Sequence, residues 1–227
     1  MAANKIECAP FVQPWEKIGK IATSDSVVGW VSSPKSNDPY VIKWNRLPIE
    51  GQGNAVRASM FLKKSIDLYK EVLGSEFIVP TSIAVGSKMD GSKLKPKVFI
   101  FQPKVDGWTG QSIPDEMRND EFIKYQWKTL YGRLQVLYIT ARSINKPLPQ
   151  DSPEIFPINL CVGDSRKLAI QNQQSENLPN TPNILIDSNL HLKLCDFGPY
   201  SLWNPQMEPT YQEIRKTAKE LLLRRVA

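Results

Sequence analysis

In chain order, Lys43, Asp67 or Glu71, Asp164, Asn183 and Asp196 are polar residues set in or beside apolar segments of this 227-residue chain. Lys43 lies inside the run YVIKW. An ammonium there needs an anion, because a lone buried charge is strongly unfavourable. A carboxylate on the next helix, Asp67 or Glu71, is the residue type that could orient it. Asn183 and Asp196 bring hard oxygen donors of the kind Mg²⁺ takes, with phosphate and water completing the octahedron. Asp164 is a carboxylate able to accept a hydroxyl proton. A cation for phosphates, metal ligands and a base together form the set that phosphoryl transfer requires.

Short elements must position these groups. Glu16–Ala22, Ser26–Ser33 and Tyr40–Trp44 read as strands, with Pro34–Asp38 as a polar turn. Ala55–Leu73 reads as a helix that Gly74 stops. Phe77–Val85 reads as a strand broken at Pro80, Ser87–Lys95 as a hairpin loop, and Pro96–Pro103 as a buried strand. Asp120–Ile144 is the clearest helix, because Ile123, Trp127, Leu130, Leu134, Leu137 and Ala141 fall on one face. Four prolines between Lys146 and Pro157 end it. The Asn/Gln-rich segment Leu168–Pro182 reads as a loop. Ile184–Ile186 and Leu190–Leu194 then form a hairpin about Asp187-Ser188-Asn189. Leu190, Leu192 and Leu194 are expected on one face and His191 and Lys193 on the other. Thr210 with Glu213 reads as the capping box of a final helix to Arg225. A β-rich half with one helix followed by a helical half with a hairpin is an α+β arrangement, expected to be bilobal.

The motifs resemble the protein-kinase-like fold, shared by protein kinases and by small-molecule kinases of the aminoglycoside and choline type. YVIKW is similar to the strand bearing the phosphate-binding lysine, which implies that role for Lys43. PNILIDSNLHLKLCDFG resembles the stretch bearing the metal-binding Asn and the DFG Asp, implying Asn183 and Asp196. VGDSR resembles the catalytic loop and would make Asp164 the base. FIFQPKVDG is similar to the strand and hinge on which adenine rests, implying Gln102, Pro103 and Lys104. The resemblance implies a β-rich, nucleotide-covering N-lobe over residues 1–103 and a reduced helical C-lobe over 104–227. It also implies ATP and Mg²⁺ as cofactors and a hydroxyl acceptor, protein or small molecule. The alternative is a pseudokinase, a nucleotide-sensing or partner-binding module without catalysis.

The sequence departs from that pattern in several places. Between Gly19 and Gly29 the GxGxxG spacing is absent. The catalytic Asp of the family stands five residues before the metal-binding Asn, and here that position is Leu178. Asp164 serves only if Leu168–Pro182 loops out, which closure entropy permits. Val162 replaces the histidine of the catalytic loop, and 29 residues follow Gly198.

Bulk composition narrows the remaining classes. His191 is the only histidine, which excludes His-based triads and most zinc sites. Cys8, Cys161 and Cys195 form no CxxC pair, so reduced thiols and an intracellular place, cytoplasmic or nuclear, are expected. MAANKIECAPF has no apolar h-region, so no secretory signal is expected. No apolar run is long enough for membrane insertion. The net charge of +6 is spread along the chain, which disfavours nucleic acid as the main partner relative to a nucleotide.

Overall fold

The computed structural model describes residues 7–9, 16–22, 26–33, 36–45, 49–90, 93–144, 156–161, 177–196 and 201–226. Helices and two antiparallel sheets make an α+β architecture. The chain divides into two compact units, Met1–Lys63 with Pro80–Lys104, and Lys64–Val79 with Val105–Ala227.

The first unit is built on β1 (Glu7–Ala9), β2 (Glu16–Ala22), β3 (Ser26–Ser33), β4 (Ser36–Asn45), β5 (Ser82–Asp90) and β6 (Lys93–Pro103). They form one sheet in the order β1-β5-β6-β4-β3-β2. Ile42 lies opposite Phe101, Trp44 opposite Phe99, and Phe99 opposite Ala84. Side chains on paired positions share a face. These five therefore form the buried core of that sheet, with the Trp44 and Phe99 rings 5.8 Å apart. Two expectations change here. Residues 87–90 and 93–95 continue the strands instead of looping, since Ser87 pairs with Pro96 and Asp90 with Lys93. Lys93 and Leu94, at the start of β6, are exposed, so the lysine there keeps its hydration. The expected turn Pro34–Asp38 changes too, because its residues 36–38 belong to β4, which starts at Ser36.

Helix α1 (Gln52–Val72) begins three residues before the expected Ala55. Beyond it Gly74 takes φ 98°. The expected strand Phe77–Val85 is divided. Ser75–Phe77 is a 3₁₀ turn, Ile78 bridges Leu194, and β5 starts only at Ser82. Pro80, which has no N–H to offer a ladder, marks the passage between the units.

The second unit holds β7 (Gly107–Thr109), α2 (Asp115–Arg118), α3 (Glu121–Ser143), α4 (Phe156–Cys161), β8 (Ile184–Asp187), β9 (Leu192–Leu194) and α5 (Glu208–Val226). Asp120 caps α3 by accepting from the amides of Phe122 at 2.9 Å and Ile123 at 3.2 Å. The whole stripe from Ile123 to Ala141 is buried, as its spacing requires. Strands β7, β8 and β9 form a three-stranded sheet whose Ile184, Ile186, Leu192 and Leu194 are fully buried. Helix α4 overlaps the segment read as helix-ending only at Phe156 and Pro157 and runs on to Cys161; Pro157 sits in its first turn, where a proline's missing N–H has no intrahelical acceptor. Helix α5 starts at Glu208, after a 3₁₀ turn over Pro205–Met207 in which the Asn204 side chain accepts from the Gln206 amide at 2.9 Å. Thr210 is thus inside the helix and buried, and does not open a capping box. Among the described residues, no helix is long and apolar enough to cross a membrane.

Candidate functional site

The β8–β9 hairpin brings Asn183 and Asp196 to the same end. Its last paired residues are Ile184 and Leu194. One residue further out, the Cys195 amide donates to the Asn183 carbonyl at 3.1 Å. Asn183 therefore directly precedes β8, Asp196 follows β9 by two residues, and both are half-buried. The Asn183 amide donates to Thr181 Oγ1 at 3.2 Å, which fixes its approach. Among the described residues no three His, Cys, Asp or Glu side chains cluster as metal ligands. An amide and a carboxylate at one hairpin end are hard oxygen donors. They suit Mg²⁺ with phosphate and water oxygens and offer nothing to a soft metal.

Several side chains set the shape of this hairpin. Asp187 Oδ1 accepts from the amides of Asn189 and His191, both at 2.9 Å. Gln126, buried on α3, donates from Nε2 to the Leu190 carbonyl at 2.8 Å. Its Oε1 accepts from the Leu192 amide at 3.1 Å. Leu190 is thereby held at φ 65°, in the turn and not in the strand expected for it. His191 is half-exposed with its ring edge-on to Phe122.

A second set of contacts holds the segment entering β8. Arg118 donates to the Leu178 carbonyl at 3.0 Å and to the Gly110 carbonyl at 2.8 Å. The Gly110 amide in turn donates to Ile184 O at 2.8 Å. A Cβ at Gly110 would stand 2.7 Å from Pro179 O and 2.9 Å from Thr181 O, so only glycine fits this close approach. Leu178 is buried.

In the first unit, Lys43 is half-buried in mid-strand, opposite Ile100. Its neighbours Ile42 and Trp44 belong to the core cluster, so Lys43 lies on the other sheet face. Val41 pairs with Gln102, which puts Gln102 on the Lys43 face. Gln102 is buried and its Nε2 donates to Thr81 Oγ1 at 3.0 Å. Pro103 pairs with Tyr40, and the exposed Lys104 donates its amide to Pro39 O at 3.0 Å. Gly19 pairs with Trp30 and Gly29 with Lys20, so both glycines stand at strand positions.

The two helix carboxylates have surroundings the sequence did not suggest. Arg215 Nε donates to Glu71 Oε2 at 2.6 Å, Arg215 Nη2 reaches Oε1, and Lys219 Nζ lies 2.7 Å from Oε2. The Arg215 hydrogen bonds, opposed by burial and aided by Lys219, hold the Glu71 carboxyl below its ordinary range. Asp67, half-buried one turn earlier, acts electrostatically on Tyr211 and Arg215 of α5. Asp164 lies outside the described residues, as do Phe197 and Gly198, which follow Asp196. Cys161 is buried, which pushes its thiol pKa far up and leaves it inert as a nucleophile.

No family model matches the chain, and no curated protein matches it. Among solved structures, a MAP kinase from Leishmania major is 13% identical with a TM-score of 0.39, over 82% of this chain and 46% of the kinase chain. This chain thus spans less than half of that kinase's length.

Proposed function

We propose that this chain binds ATP with Mg²⁺ and transfers the terminal phosphoryl group to a hydroxyl acceptor, as its motif resemblance to protein-kinase-like enzymes implies. The observation that carries this reading is the placement of Asn183 and Asp196 at one hairpin end, tied by the Cys195–Asn183 backbone bond. In this reading those two side chains hold the metal ion, which when bound neutralises phosphate charge. Lys43 supplies a second positive charge to the phosphates. The strand end at Gln102, Pro103 and Lys104 receives the adenine. Asp164 takes the proton of the acceptor hydroxyl as its oxygen forms a bond to the terminal phosphorus and ADP leaves. The reading does not depend on a helix carboxylate, since Glu71 is held by Arg215 and Lys219.

One observation favours the non-catalytic alternative. Five residues before Asn183, where the family places its base, stands buried Leu178 with its carbonyl taken by Arg118. A phosphotransfer assay on small hydroxyl compounds and peptides separates the two readings. A measurable rate abolished by Asp164→Asn supports phosphotransfer. Saturable nucleotide binding with no turnover in the parent protein supports the pseudokinase.

A further inference from the structure

We propose that Trp203, Tyr211 and Glu208 form an ammonium-binding cage, which the chain fills with its own Lys64 to latch α5 onto the second half of α1. The Lys64 Nζ lies 4.6 Å from the Tyr211 ring centroid and 5.2 Å from that of Trp203. The two rings stand perpendicular, at 89° and 5.8 Å, so they offer two differently oriented π-faces to one cation. Both rings are 3% exposed, which excludes most water from their side of the ammonium. Glu208 closes the cage, accepting from Nζ at 2.8 Å and 3.1 Å through its two oxygens. Gln212 orients that carboxylate from one turn along α5, at 2.7 Å.

Ring faces attract cations through their quadrupole, and a carboxylate adds a directed charge-assisted bond. Together they select a compact alkylammonium over a neutral chain of equal length. The Lys64 hydrogen bond, then that of Gln212, holds the Glu208 carboxyl below its ordinary range. That is the response expected of an anion facing a fixed cation. The preceding residue, Lys63, is exposed, so the cage receives one particular ammonium of this basic chain. Loss of the charge on Lys64 therefore opens the latch, while methylation, which keeps the charge, leaves it closed.

Amide hydrogen exchange over 203–222 tests the cage in Lys64→Ala and Lys64→Met. Lys64→Ala removes three methylenes and the ammonium, which n-propylammonium replaces. Lys64→Met keeps an apolar stem without charge. Exchange is expected to accelerate about tenfold in both, the size of a partly desolvated cation–π contact. Millimolar n-propylammonium should restore slow exchange in Lys64→Ala, and n-propanol should not. Protection retained in Lys64→Met, rescue absent, or rescue equal with propanol would each overturn the proposal in favour of stem packing. Where Lys64→Ala fails to fold, Glu208→Gln carries the same test. Accelerated exchange in that variant supports the cage, and unchanged exchange removes it.

Discussion

The Cys195 amide donates to the Asn183 carbonyl at 3.1 Å, one residue beyond the last strand pair of the hairpin. That bond fixes the backbone from which Asn183 and Asp196 project. Whatever shapes the hairpin therefore shapes the candidate metal site, and the following outcomes are expected.

Gln126→Met keeps the volume of the side chain but removes both hydrogen bonds to the turn. The buried Leu192 amide then loses its acceptor and the Leu190 carbonyl its donor. The variant should lose about 1–3 kcal/mol in urea unfolding, the usual penalty for stranded buried polar groups. A midpoint equal to that of the parent would show that Gln126 does not hold the turn.

Arg118→Ala frees the carbonyls of Leu178 and Gly110 together. Amide exchange should rise across 178–183, while α3, whose cap is independent, stays protected. Under the proposed nucleotide-binding reading, the same variant should bind Mg²⁺-ATP about tenfold more weakly, a loss of about 1.4 kcal/mol. Unchanged exchange in 178–183 would contradict the positioning role whatever happens to binding.

Glu71 gives a pH signature of known sign. Its carboxyl is held below the ordinary value of 4.5, chiefly by Arg215. A depressed carboxylate contributes stability that is present above 4.5 and is lost as pH falls through the lower folded value. The parent should therefore lose stability relative to Glu71→Gln as pH drops through that acid window. Glu208, depressed by Lys64 and Gln212, leaves the variant with some acid sensitivity of its own. Parallel pH profiles of thermal unfolding for parent and variant would contradict the ion pair.

The elements legible in the sequence are those whose causes are local. Helix α3 has a cap at Asp120 and a stripe from Ile123 to Ala141, and both act within one segment. The hairpin was legible from its alternating leucines, but its turn was not. Leu190 leaves the strand because Gln126, 64 residues away in sequence, captures its carbonyl. Strand β7 is three residues long and opens on Gly107 at φ 148°, so no periodicity announces it. Thr210 looked like a cap because its own spacing was right, whereas Asn204 had already begun the turn that leads into α5. Asn183, Asp196 and Lys43 were legible as residue types in an ordered pattern. The partners of Glu71 were not, because Arg215 lies 144 residues further on and only the fold of the second unit brings the two together.

The most direct measurement is calorimetric titration of Mg²⁺-ATP into the parent protein, Lys43→Ala and Asp196→Ala, with thermal unfolding of each as a folding control. Saturable, Mg²⁺-dependent binding is expected in the parent, with loss of it in both variants, each still folded. No binding in the parent, or full binding retained in folded Asp196→Ala, would contradict the assignment of a nucleotide and metal site to this hairpin.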